Sequence, residues 1–481
     1  MERTIGAARP QTRSAPLGEQ AVVIGGSLAG LLTARVLSDH FQQVQIIERD
    51  LLADEVAPHQ GVPQGRHAHG LLGMGQQILG RYFPGLFEEL QQQGATRVDL
   101  GYDVGWYQAG GWWKRVPTGM IASVQSRPLL ETAVRRRVQR LPNVHFVTNC
   151  AATGLAMNAA RTHITGVRIQ HRDTPAQEET VPATLVVDAG GRGSRLSHWL
   201  VAQGYPPVEE VEVKMGMGYT TRFYRRPAGF NPGWKMLLII PQPPETRMGL
   251  LIPMEGDGWM VSLCGWHHDH APLDDAGFLE FARSLPVPDL YEAIKEAEPL
   301  TPIVVHRIPS NLWRRYDRMA RFPEGLVALG DGLCSFNPTY GQGMTTAALY
   351  VNLLETCLRA QDRTAPNVRG LADRFRRRVA AVVATPWLLA TVEDFRYAQT
   401  EGKHPLPTPF LHWYLDKLYT AAAHDGRLVA QFLQVMNMFR SPPALFLPHI
   451  ALRVLSARFR YKPATGRSAP RAEHALPAPK P

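Results

Sequence analysis

Apolar and polar positions along this chain follow three different periods, and each change of period marks a change of structure. From Gln20 the run Ala21-Val22-Val23-Ile24 is continuously apolar, the pattern of a strand buried on both faces. A glycine-rich hexapeptide, Gly25 to Gly30, follows, then helical spacing from Leu31 to Phe41 and a second buried strand from Val44 to Glu48. Together they predict a βαβ unit. Residues 128–140 open with Pro and place Leu130, Val134 and Val138 four apart, as the apolar stripe of an amphipathic helix requires. Val144 to Val147 and Val181 to Asp188 read as further strands.

From Glu212 the period becomes two: Val213, Met215, Met217, Tyr219, Thr221 and Phe223 share one face. Short runs at 235–241, 247–253 and 259–266, divided by Pro and Gly, extend this into an antiparallel sheet of about four strands. The buried-strand pattern returns at Gly325 to Leu329, with a long helix over 343–359, so the dinucleotide-type domain is discontinuous. Helical patterns over 371–384, 409–423 and 426–440 precede an apolar segment at 442–455. The expected architecture is α/β: a Rossmann-like domain of 20–195 plus 300–360, an antiparallel-sheet substrate domain of 196–299, and a C-terminal helical region of 361–460. Residues 1–19 and 461–481 lack periodicity and read as tails.

The formal charge of +10 raises the question of nucleic acid. The densest basic groups, Arg135 to Arg137 and Arg374 to Arg378, lie in helical patterns as solvated faces, and no basic stripe is interleaved with aromatics, so nucleic acid is not an expected partner. The four cysteines are widely spaced, without metal-ligand spacing, and read as reduced thiols of a cytoplasmic protein. No apolar run spans a bilayer. The segment from Pro442 to Ile450, with Arg453, Arg458 and Arg460 after it, allows at most peripheral membrane contact or the admission of lipophilic substrates. Packing against the first domain is the favoured reading.

Chemistry concentrates in two glycine-rich turns. Gly25-Gly26-Ser27-Leu28-Ala29-Gly30 joins a strand to a helix, where backbone amides and the helix dipole receive a pyrophosphate, although Ser27 replaces the middle glycine of G-x-G-x-x-G. Glu48, with Arg49 beside it, closes the second strand 23 positions after Gly25, placed to bind an adenosine ribose. The second turn is Gly330-Asp331-Gly332 followed by Asn337-Pro338-Thr339-Tyr340-Gly341-Gln342-Gly343-Met344 and a helix. It aims a carboxylate at ribityl hydroxyls, and a helix N-terminus at the flavin N1–C2=O edge.

With these two turns the chain resembles the flavoprotein monooxygenase superfamily over roughly residues 20–455. The stretches Gly61 to His69, Asp188 to Arg195 and Ser335 to Pro338 are most similar to the bacterial epoxidases of polyether and related natural-product pathways, with squalene epoxidase a more distant relative. The resemblance implies a p-hydroxybenzoate hydroxylase-like fold, FAD as cofactor, Arg66 near the flavin or its phosphates and Arg127 on the pyrophosphate or ribityl chain. It also implies oxygen transfer from O2 through a flavin C4a-hydroperoxide, with no obligatory catalytic base; Arg66, His67 and Pro338 are the candidate catalytic contacts. Asp188 is followed by Ala189 rather than the Gly of many single-component hydroxylases. This leaves open whether NADPH or NADH reduces the flavin directly or through a separate flavin reductase.

His67 and His69 lack a third ligand at metal spacing and read as loop or flavin contacts, so no metal is expected. Met215, Met217, Tyr219, Phe223, Trp259 and Trp266 are candidates to roof an apolar substrate pocket. The expected substrate is a lipophilic polyketide, terpenoid or aromatic intermediate of secondary metabolism. The alternatives are an FAD-dependent dehydrogenase, reductase or halogenase of the same fold, the last disfavoured because W-x-W-x-I-P is absent, and a non-catalytic FAD-bound component of a biosynthetic complex.

Overall fold

The computed structural model describes residues 15–460, apart from 54, 58–62, 175–176, 363 and 406–407. Most of both expected tails, and Gly61 and Val62 of the resemblance, lie outside the described residues. The chain is ordered before Gln20, however: Leu17 is buried and the first strand begins at Gly18.

The continuously apolar runs form a five-stranded parallel sheet in the order Leu326–Ala328, Leu185–Asp188, Gly18–Ile24, Phe41–Ile47, Val144–Val147. Register aligns the carboxyl ends: Ile24 lies beside both Ile47 and Asp188, and Asp188 beside Ala328. Ligands of open α/β sheets bind at this edge. Helix Leu28–Leu37 packs on the sheet and touches both helix Arg127–Gln139 and helix Gly343–Arg359, so a segment from the end of the domain closes over its beginning.

Val181 to Asp188 is not one strand. Glu178–Pro182 belongs to a separate antiparallel sheet with Ile164–His171 and Cys150–Met157, while Leu185–Asp188 enters the parallel sheet. Pro182 has no N–H with which to continue a ladder, and the chain changes sheets immediately after it.

The second sheet is larger than the four strands expected. To Glu210–Arg225, Met236–Ile239, Arg247–Met254 and Gly258–Gly265 it adds Val104–Gln108, Gly111–Trp112, Val304–Arg314, Cys334–Ser335 and Glu401–Gly402. Strands from both segments of the first domain therefore build the second. The period-two face is also broken by a bulge between Lys214 and Met217, where Gly216 takes a positive φ of 54°.

The C-terminal helices are Leu371–Asp394, Thr408–Ala422, Gly426–Met436 and Pro448–Arg460. The first runs ten residues past the expected end at Ala384 and passes through Pro386. The expected helix over 426–440 stops at Met436, and Met438 has a positive φ. The segment from Pro442 packs against residues of the first segment, though not on the parallel sheet: Leu445, Ile450 and Val454 share a core with Trp113, Tyr414, Leu418 and Phe432, with Leu100 and Trp106 packed against it. Among the described residues no helix is long and apolar enough to cross a membrane.

Candidate functional site: two glycine turns above an apolar cavity

The first turn sits where the parallel strands end. Gly25 has φ +100° and donates its N–H to the Ile47 carbonyl at 2.8 Å. A Cβ on Gly30 would stand 1.8 Å from the Gly25 oxygen, so only glycine lets the helix start so close to the strand. Glu48 is buried and accepts from the Gly26 N–H at 2.6 Å and the Asp50 N–H at 2.9 Å, which fixes its carboxylate against the turn. Ser27 stands at the helix N-cap without capping it; its hydroxyl is instead engaged by Arg127 at 2.9 Å and by Glu131 at 3.1 Å. The orphan amides of the first helical turn thus have no side-chain cap, and a guanidinium stands beside them.

The second turn meets the first directly: a Cβ on Gly330, whose φ is +65°, would come 3.2 Å from the Ala29 methyl. Asp331 lies next, with its Oδ1 3.9 Å from where a Cβ on Gly343 would sit, facing the N-terminus of helix Gly343–Arg359. Among the described residues its carboxylate has no hydrogen-bond partner. Burial raises its pKa, while Arg127 and Arg192 oppose that rise. Gln342, 1% exposed, leaves both its amide oxygen and its amide nitrogen without a partner.

Asn337 to Tyr340 is held in place by Asp394, a residue not singled out in the sequence. Its fully buried carboxylate accepts from Asn337 Nδ2 at 2.9 Å, Tyr340 Oη at 2.9 Å, Trp266 Nε1 at 3.2 Å and Asn311 Nδ2 at 2.7 Å. Asn311 in turn accepts from the Asn337 N–H at 2.6 Å. One carboxylate thereby joins the C-terminal helix, the large sheet and the second turn.

These elements border a cavity of about 300 Å³. Pro338, Gly341, Met344 and Arg127 line the end nearest the turns; Leu238, Leu250, Leu389, Leu415 and Phe446 are among its apolar walls. Of the six expected pocket residues, Tyr219 and Trp266 line it. Met215 and Met217 pack in the small core behind Tyr219, and Trp259 packs with Tyr224 and Phe278 on the outer core. Phe223 lies on the outer stretch of its strand, bonded to Thr301 and Leu300. The bulge at Gly216 and the wrapping of helices Asp275–Arg283 and Asp289–Ile294 over that face defeat the simple alternation.

Arg66 is exposed and ends the short 3-10 turn Pro63–Arg66. Arg49 turns 59% of its side chain outward, its Nε 4.0 Å from Asp50. His67 is buried, paired through Nδ1 with Thr221 at 2.8 Å and edge-on to Tyr219. Burial, with His306 and Arg66 nearby, lowers its pKa to about 3. His69 lines the cavity; its Nδ1 lies 2.7 Å from the His67 carbonyl, which can only accept, so Nδ1 carries the proton. Burial and Arg127 hold its pKa low.

The donors and acceptors left open match a dinucleotide laid across both turns: uncapped amides beside Arg127 for phosphates, Glu48 for a ribose, Asp331 for hydroxyls and Gln342 for a polar ring edge.

No family model matches the chain. Protein Rv3254 of Mycobacterium tuberculosis is 32% identical over 442 residues, covering 88% of this chain and 90% of that protein. Solved structures of similar fold include the flavin-dependent brominase Bmp2, with a TM-score of 0.64 and 13% identity over 92% of this chain and 99% of that one. They also include the p-nitrophenol 4-monooxygenase PnpA from Pseudomonas putida, at 0.59 and 15% over 88% and 99%. PqsL, a probable FAD-dependent monooxygenase from Pseudomonas aeruginosa, stands at 0.57 and 16% over 79% and 97%. The fold is the one shared by these flavin enzymes, as the sequence pattern predicts.

Proposed function

The chain belongs to the family of Protein Rv3254, and from that premise and the two-turn site we propose that it is an FAD-dependent monooxygenase acting on a lipophilic substrate. The observation that carries this reading is the meeting of a glycine turn that admits no side chain with the Gln342 amide, both of whose polar atoms are unmet, and with the Asp331 carboxylate, beside Pro338, Gly341 and Met344 of the apolar cavity's lining. Bound FAD would supply the redox chemistry that activates O2. The protein's part is to bind and orient. The first-turn amides and Arg127 hold the pyrophosphate, Glu48 the adenosine ribose and Asp331 the ribityl hydroxyls. Gln342 and the amides opening helix Gly343–Arg359 stabilise negative charge at the ring edge.

The apolar walls exclude water from the reacting atoms. His67 and His69 stay neutral, so neither supplies a cation near the ring. Epoxidation or hydroxylation of a polyketide, terpenoid or aromatic compound fits such a site, with reducing equivalents from NADPH or NADH directly or through a flavin reductase. Asp331→Ala removes charge-assisted hydrogen bonds worth about 1.5–3 kcal/mol each, equivalent to roughly 10- to 150-fold in FAD affinity. A variant that titrates FAD with the parent's affinity would refute the assignment.

A further inference from the structure

The cavity wall away from the two turns carries a polar group that cofactor binding does not use. Gln108 ends strand Val104–Gln108, is 5% exposed and lines the cavity. Its Oε1 accepts the Trp106 indole N–H at 3.0 Å. An indole nitrogen only donates, so this contact fixes which end of the amide is which, and the N–H2 end is the free one. Among the described residues Nε2 has no partner. In a side chain so nearly enclosed, the surface that remains to it is the cavity's.

Two further features define what would meet that donor. Trp106 also lines the cavity; one of its faces is stacked on Trp113, with ring centroids 4.5 Å apart and planes within 1°, and Phe432 stands edge-on at 6.2 Å. Among the described residues of the lining, Arg396 is charge-compensated by Glu393 and Asp416, although its Nη2 makes no hydrogen bond, and Arg127, beside Glu131, is the cation assigned above to the cofactor's pyrophosphate. Neither leaves an uncompensated positive charge for an anionic substrate.

We propose that Gln108 is a specificity-determining residue that donates to a carbonyl oxygen of a neutral, flat, lipophilic substrate lying against Trp106. The substrate class is therefore a polycyclic or aryl ketone, quinone or lactone rather than a carboxylate or a plain hydrocarbon. This rests on the cavity being the substrate chamber of the proposed flavoenzyme. An amide donor in an apolar wall discriminates strongly against ligands that leave it unmet.

The test is calorimetric titration of the FAD-loaded protein with three probes of similar size: α-tetralone, tetralin and 1-naphthoate. The ketone should bind tightest. Gln108→Leu should weaken the ketone about 2- to 12-fold, the value of one neutral hydrogen bond, and leave tetralin unchanged. Gln108→Glu keeps an acceptor for Trp106 but lacks the N–H2 and should lose the ketone preference too, so the test survives if the Leu variant does not fold. FAD content should match the parent in both variants. Equal binding of ketone and hydrocarbon, preference for the anion, no binding of the ketone, or a ketone preference retained in the variants would each overturn the proposal. A protein that holds no FAD yet prefers the ketone through Gln108 would instead sink the functional reading and leave this one standing.

Discussion

Asp394→Asn is the substitution that most sharply separates cofactor-site architecture from generic stability. The native carboxylate receives three donors on Oδ1 and the Asn311 amide on Oδ2. Asparagine can keep the first three. Its own N–H2 would then face the N–H2 of Asn311, which cannot rotate because its oxygen accepts the Asn337 N–H. One hydrogen bond to a charged acceptor is lost, about 1.5–3 kcal/mol. Burial already disfavours the ionised carboxylate, and a neutral amide relieves that, which places the expected cost near the lower bound of roughly 1.5 kcal/mol. Asp394→Ala would leave four buried donors unmet, at about 1–3 kcal/mol each. That rivals the 5–15 kcal/mol of a whole fold, and little soluble protein is expected. For Asp394→Asn, urea unfolding should show the stability loss, and FAD titration should show affinity falling by about tenfold, because the Asn337 to Tyr340 turn is loosened. Parent-like values in both measurements would refute the role given to this residue.

Gly30→Ala drives a Cβ to 1.8 Å from the Gly25 oxygen and should abolish FAD retention or folding, whereas Gly193→Ala, with nothing within 4 Å, should be silent; flavin content after purification decides between them. The protein should lose stability in mild acid. His67 has its folded pKa lowered to about 3 from 6.5, so between those values the unfolded chain binds the extra proton. Stability therefore rises with pH across that window and is lost as pH falls below about 6.5, by up to about 1.4 kcal/mol per pH unit. His69 and His306 are shifted the same way and steepen the loss. Urea midpoints that do not fall between pH 7 and 5, or that fall equally in His67→Gln, would contradict this.

The parallel sheet and both glycine turns are legible in the sequence because their signals are local: buried strands read as unbroken apolar runs, and a strand-to-helix turn must place its glycines at fixed offsets. The large sheet was only half legible. Val304–Arg314 and Val104–Gln108 join it from sequence-distant segments, and no local period records with which strand a run will pair. Asp394 was invisible for the same reason: its partners lie 54 to 128 residues away, and an acid next to Glu393, beyond the expected helix, looks like a surface charge until the fold buries it. Met215 and Met217 mislead because alternation identifies a buried face but not whether a cavity or a core lies against it.

The central claim is that the two turns hold FAD. The most direct measurement is the visible spectrum of the purified protein, followed by anaerobic addition of NADPH with and without a general flavin reductase. The account predicts a yellow protein whose flavin bleaches under at least one of those conditions and recolours with oxygen. A colourless protein that takes up no added FAD would contradict it.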